Sequence, residues 1–161
     1  MRRLIPPLML LLTAAAGAWL WEPAPTALPE ELPLTFTDGT SSDFGQLRGT
    51  PLLLTFWSVN CPTCLHDMPK LAALHEELSP KEASVIAVSI PQDPPPAIMA
   101  TVRAFRPGYP TALDVQGDIA RAVAGVEATP LTLLVDREGR IVHRSYGKLD
   151  MQEARAILGA L

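Results

Sequence analysis

Two cysteines are the whole thiol complement of this 161-residue chain, and they stand together as Cys61-Pro62-Thr63-Cys64. Three residues apart on a helix, they lie one turn from each other, near enough to close a disulfide and reopen it. A thiol at a helix N-terminus faces the positive end of the macrodipole, which favours the thiolate and lowers its pKa. The chemistry that this spacing suits is electron exchange, in which one thiolate attacks a disulfide and the second thiol resolves the mixed disulfide. A static staple is the weaker reading, because a bridge closing so short a loop removes little entropy from the unfolded chain. Metal binding is the rival of a different class. Zinc needs four ligands and only His66, His75 and His143 are on offer, His66 pointing to a different helix face from Cys64. Two thiolates alone can hold a soft ion such as Cu(I), which leaves a copper-handling protein as the alternative function.

The pair needs a strand to deliver it and a helix to carry it. Pro51 to Trp57 is a nearly continuous apolar run, as expected of a central strand covered on both faces. From Pro62 the pattern turns helical, with Met68, Leu71, His75 and Leu78 at helical spacing and Leu74 beside them. Pro62 suits the first turn, where its missing N–H costs nothing. Pro69 lies deeper and should kink the helix, and Ser79-Pro80 should end it. Ser84 to Ile90 predicts a second buried strand, Pro91 to Pro96 a loop, and Ala97 to Phe105 a helix. Tyr109 to Asp114 suits a short strand, and Gly117-Asp118 opens a short helix ending at Gly125. Leu131 to Val135 and Ile141 to Tyr146 read as a hairpin, and Asp150 with Glu153 three residues on reads as the start of a last helix. Its apolar stripe is Met151, Ala154, Ile157, Leu158 and Leu161. Before all of these, Asp38-Gly39 marks a turn between two β-prone pieces. Strands alternating with helices predict an α/β domain built on a mixed sheet.

The chain begins with Arg2 and Arg3 followed by eighteen residues, Leu4 to Trp21, without a charge. This has the form of an export signal, and its length just spans a bilayer with Trp19 and Trp21 at the outer interface. Cleavage after the small residues of Ala14 to Ala18 is the other reading, and both place the following domain outside the cytoplasm. Residues 22–33, EPAPTALPEELP, are rich in proline and acid and read as an extended tether, leaving residues 34–161 as the domain. Losing the leader removes two of 13 basic residues and none of 17 acidic ones, for a net charge of −6. That charge argues against nucleic acid as a partner.

The segment TFWSVNCPTCLHDMP resembles the active-site segment of the thioredoxin-like family, in its exported, membrane-tethered branch of TlpA, ResA and CcmG/DsbE type. GVEATPLTLLVDREGRIV is similar to that family's cis-proline segment and closing hairpin. The resemblance spans residues 34–161, and the 69 positions from Cys61 to Pro130 leave room for an inserted strand and helix. It implies a thioredoxin-like fold, with a central mixed β-sheet flanked by helices and extended by an N-terminal β-hairpin. It also implies a protein disulfide oxidoreductase that needs no metal and no cofactor. Cys61 would be the attacking thiol and the more exposed of the two, and Cys64 the resolving one. Thr129 and Pro130 would form the cis-proline dipeptide, with Pro130 against Cys61 and the Thr129 backbone pairing with substrate. Trp57, Pro62 and Thr63 complete the expected substrate-facing set, with core packing behind the active site as the other reading of Trp57.

Asp67 occupies the position where this branch often carries Glu, which implies a base that takes the proton of Cys64; the alternative is an acid that complements the helix dipole. Asn60 departs from the aromatic residue that many relatives place before the first cysteine. Thr55 stands where cytosolic thioredoxins bury an aspartate. By the same resemblance the partners are proteins bearing disulfides or thiols, apocytochrome c or a copper-site assembly protein among them. Electrons would come from a membrane thiol carrier, with the chain held at the inner membrane by its N-terminus and the domain in the periplasm. A thiol peroxidase shares the fold, but no segment here offers the arginine and threonine that activate a peroxide. His75 reads as a satisfied interface histidine, His143 as a solvated residue on an edge strand, and the Gln92 to Pro96 loop as a candidate border of the active site, although nothing in its own residues says so.

Overall fold

The computed structural model of the protein describes residues 27–78, 83–123 and 125–161. The expected leader and residues 22–26 of the expected tether lie outside the described residues. Among the described residues one mixed sheet runs through the domain. Its strands are β1 (Pro33–Phe36), β2 (Ser41–Asp43), β3 (Leu52–Trp57), β4 (Ser84–Ser89), β5 (Thr111–Leu113), β6 (Leu131–Val135) and β7 (Ile141–Tyr146). They lie in the order β2-β1-β5-β4-β3-β6-β7. β3, β4 and β5 are parallel to one another, and every other neighbouring pair is antiparallel. Parallel neighbours need crossovers, and these are the helices α1 (Pro62–Glu77) and α2 (Pro95–Phe105). A short α3 (Asp118–Ala122) leads towards β6, and α4 (Met151–Ala160) closes the chain. This is the thioredoxin-like α/β architecture that the sequence predicts, with β1–β2 as its N-terminal hairpin and β5 as the added strand that joins the hairpin to the sheet.

The pleat of β3 divides the core in two. Leu53 and Trp57 pack on one face with Cys61, Cys64, Met68, Leu71 and Leu74 of the α1 side, together with Val85, Leu134 and Leu158. Leu52, Leu54 and Phe56 pack on the other face with Leu34, Phe44, Val88, Leu133 and Val135. Every residue of β3 is buried, which explains why its sequence reads as a run rather than an alternation. The α4 end is fixed as expected, with the Asp150 carboxylate accepting from the Gln152 and Glu153 N–H groups at 2.9 and 3.1 Å.

Two local expectations need correcting. The helix α2 starts at Pro95, not Ala97, because prolines at the first helical positions forgo only N–H groups that have no partner there. The packed domain begins before residue 34. Ala27 bridges Arg140, the Leu28 N–H donates to the Gly139 carbonyl at 2.9 Å, and the Leu28 side chain is 2% exposed. Arg48 completes this anchorage by donating from Nη2 to the Leu28 carbonyl at 2.8 Å. One leucine among prolines and acids is enough to fold the end of the tether onto the domain, because its side chain fills a gap beside Phe44, Leu52 and Val135.

Candidate redox site

The strand β3 ends at Trp57, and Ser58-Val59-Asn60 bring the chain over the sheet edge to the tip of α1. Cys61 is the N-cap of that helix, in extended conformation, with its N–H on the Ser58 carbonyl at 3.1 Å. The Cys64 N–H points back and donates to Cys61 Sγ at 3.1 Å, the place of a capping oxygen in an ordinary helix. In the structure the two sulfurs are joined at 2.09 Å, with the Cα atoms 5.2 Å apart. A backbone donor and the helix dipole at this position both favour a thiolate on Cys61. Cys61 is 7% exposed against 4% for Cys64, so the expected difference in access is small. Asn60 and Pro62 are exposed and Thr63 half-buried, so small side chains rim Cys61.

The loop after β4 holds this tip from the side. The buried Asp93 carboxylate accepts from Ser58 Oγ at 3.0 Å and from the Val59 N–H at 2.8 Å. Ser58 Oγ in turn accepts the Asn60 N–H at 3.2 Å. Sequence reasoning missed Asp93. An aspartate before a run of prolines reads as a turn, and nothing in its neighbourhood points to a segment 34 residues earlier.

Behind the disulfide lies a cavity of about 20 Å³, lined by Thr55, Trp57, Cys64, Asp67, Pro130 and Thr132 among others. The structure thus brings together Cys64, Asp67 and Pro130, three of the residues that the resemblance singles out. The Thr129–Pro130 peptide bond is cis, Pro130 is buried and Thr129 half-buried. Asp67 is 4% exposed and pairs with Lys70, whose Nζ lies 2.6 Å from Oδ1. It sits beyond the first turn of α1, which holds no acidic residue, so complementing the helix dipole does not account for it. Thr55 faces Thr132, their hydroxyls 3.3 Å apart, in place of the buried aspartate of cytosolic thioredoxins.

Other expected residues fall elsewhere. Trp57 is 2% exposed and packs beneath the pair, so it forms the interior wall of the site rather than a surface that substrate touches. The bulk of the ring is held between the sheet and α1, where apolar area is removed from water. His75 meets the Tyr109 ring edge-on at 6.3 Å, but its Nδ1 is buried without a partner, so it is not the satisfied histidine that the sequence predicts. Burial holds the Tyr109 hydroxyl protonated well above its ordinary range. His66 is exposed, His143 half-buried on the edge strand β7. Among the described residues no three His, Cys, Asp or Glu side chains gather to hold a metal ion. Among the same residues no helix is long and apolar enough to cross a membrane.

Comparison with known proteins agrees with this geometry. Residues 22–158 match the Redoxin family. The chain is 27% identical over 115 residues to the thiol-disulfide oxidoreductase ResA of Halalkalibacterium halodurans, a match covering 71% of this chain and 64% of that protein. It is 28% identical over 115 residues to the thiol:disulfide interchange protein DsbE of Pseudomonas aeruginosa, covering 71% of this chain and 61% of the relative. Each match thus spans a little under two thirds of the relative's own length. Among solved structures, a putative thioredoxin from Neisseria meningitidis superposes with a TM-score of 0.75 at 24% identity, over 85% of this chain and 89% of that one. That likeness establishes the fold.

Proposed function

Because this chain belongs to the Redoxin family, we propose that its Cys61–Cys64 pair works as an exported protein-disulfide reductase. The observation that carries the reading is the placement of Cys61 as the sulfur cap of α1, with the Cys64 N–H on its Sγ at 3.1 Å. Reduced, Cys61 attacks a substrate disulfide as the thiolate and forms a mixed disulfide. Cys64 then attacks Cys61, the substrate leaves as a dithiol, and the pair ends oxidised, as it stands in the structure. Asp67 takes the proton from Cys64 in that second step. The backbone at Thr129 pairs with the substrate chain beside Pro130, as an added strand would, while Pro62 and Thr63 form the rim it meets.

A membrane thiol carrier returns the electrons, and the uncharged leader fastens the chain to the inner membrane with the domain in the periplasm. The similarity to ResA and DsbE supports thiol–disulfide exchange, and the Leu4 to Trp21 segment supports the location.

The reduction potential of the pair in the full-length protein tests the direction. A value near or below about −270 mV, where thioredoxin lies, is expected; one near about −120 mV, where DsbA lies, would make the protein an oxidant. Failure to titrate reversibly against glutathione or dithiothreitol would remove the exchange reaction itself.

A further inference from the structure

The segment that leads into Pro130 is fastened at both ends by strand β7. At its near end the Arg144 guanidinium donates from Nη1 to the Val123 carbonyl at 2.7 Å and from Nη2 to the Gly125 carbonyl at 2.8 Å. At its far end the Gly147 N–H donates to the Pro130 carbonyl at 2.9 Å. Between these anchors, among the described residues, no hydrogen bond holds the backbone from Val126 to Thr129. Val126 packs against the core, while Glu127 and Ala128 are exposed. The course of this backbone is therefore set by what grips its ends.

The sheet explains how an arginine comes to hold one of them. In the register of β6 against β7, Arg144 stands opposite Leu133 and Tyr146 opposite Leu131, so both project on the face away from α1. The short helix α3 packs on that same face through Ile119 and Val123. Carbonyls at a helix end have no partner within the helix. Gly125, at φ of +90°, turns the chain out of α3 with its own N–H on the Ala120 carbonyl at 2.8 Å. The planar fork of a guanidinium spans the two carbonyls left at this turn, and charge-assisted bonds of this kind are stronger than neutral ones. The Tyr146 ring, 5.8 Å from Cζ, braces the fork by a cation–π contact. Among the described residues Arg144 forms no ion pair, unlike Arg121, Arg140 and Arg155, so its charge serves the loop.

We propose that Arg144 is a positioning residue for substrate binding, which sets the loop through the Val123 and Gly125 carbonyls so that the Thr129 backbone can pair with a substrate chain. The inference rests on the reading of Thr129 as the edge that pairs with substrate. It adds the residue that holds this edge in place. Recognition of a polypeptide disulfide then depends on Arg144, and reaction with a small disulfide does not.

Two disulfides with one leaving group test this on the reduced full-length protein: thionitrobenzoate joined to free cysteine, and thionitrobenzoate joined to the cysteine of an extended peptide. In both, Cys61 Sγ bonds to the cysteine sulfur, the old S–S bond breaks, and its electron pair leaves on the coloured thionitrobenzoate. The wild type should react faster with the peptide, and N-methylation of the peptide bonds flanking its cysteine should remove that advantage. Arg144→Met keeps the apolar stem and removes the donors. It should slow the peptide reaction about 10- to 100-fold, the scale of an ångström of misplacement, and leave the cysteine reaction unchanged. Arg144→Lys, with a single ammonium in place of the fork, should recover part of the loss. Equal losses on both probes, or a shifted reduction potential, would mean a general role in the fold and overturn the proposal. An unchanged peptide rate in Arg144→Met, with the wild type still sensitive to N-methylation, would overturn the role of Arg144 and leave the Thr129 pairing in place. A wild type that treats the plain and the N-methylated peptide alike would instead remove the underlying reading.

Discussion

The carboxylate of Asp93 accepts the Val59 N–H at 2.8 Å, so the loop before α2 holds the two residues that lead into Cys61. Asp93→Ala leaves that N–H and the Ser58 hydroxyl without their buried partner. Unfolding in urea should show a loss of about 1–3 kcal/mol, and attack on a protein disulfide should slow along with it. Asp93→Asn keeps one acceptor and should lose less of both. Equal stability and equal rates in the alanine variant would mean that the clamp has no bearing on the site.

The two cysteines should fail in different ways. Cys61→Ser leaves no attacking thiolate at the helix tip, so reduction of a disulfide-bearing protein should cease. Cys64→Ser leaves the attack intact and removes the resolving thiol, so a covalent complex should accumulate on a non-reducing gel and vanish with dithiothreitol. A complex trapped instead in Cys61→Ser would reverse the assignment of the two roles.

Much of this arrangement is legible in the sequence, and the parts that are not share a cause. The run Pro51 to Trp57, the CPTC turn and the helical stripe from Met68 place strand, pair and helix correctly, because each is written in neighbouring residues. The bounds of β6 and β7 coincide with the expected hairpin for the same reason. Asp93 and Leu28 act through partners far along the chain, on Val59 and on Gly139, and their own neighbours describe only a turn and a tether. Trp57 reads from the sequence both as core packing behind the pair and as a substrate-facing residue, and its burial decides for the core. Lys70 is a lysine on a helix until the burial of Asp67 makes it a partner.

Acid should loosen the hairpin turn between β6 and β7 through Asp136. Burial raises the Asp136 carboxyl, but hydrogen bonds from the Arg140 N–H and guanidinium and from the Glu138 N–H outweigh it and hold the group below its ordinary 3.8. A carboxyl depressed on folding binds fewer protons than the unfolded chain. Its stabilisation is complete above the unfolded value and is lost as the pH falls through the folded one. Denaturation midpoints between pH 6 and pH 2 should therefore fall less steeply in Asp136→Asn than in the wild type. Parallel curves would exclude Asp136 as a source of the acid limb.

Gly139 has φ of +77° in the turn between β6 and β7, and a side chain there would meet the Arg48 guanidinium. Gly139→Ala combines that strain with displacement of the arginine from the Leu28 and Glu138 carbonyls. A loss of about 1–3 kcal/mol is expected from the backbone alone. Proteolysis should open the chain near Leu28 sooner than in the wild type, while the reduction potential stays where it was. A shifted potential would mean that the two ends of the sheet are coupled.

The bridge between Ala27 and Arg140 also gives the molecule a polarity. In the register of β3 against β6, Phe56 faces Leu131 at the cysteine end and Leu52 faces Val135 at the other, where the chain turns through Gly139 and receives Ala27. The described chain thus enters at the pole opposite the disulfide, the length of a strand away, roughly 20 Å at six residues. Ala27, the first described residue, thus stands at the back of the molecule, and the cysteines at its front face away from it.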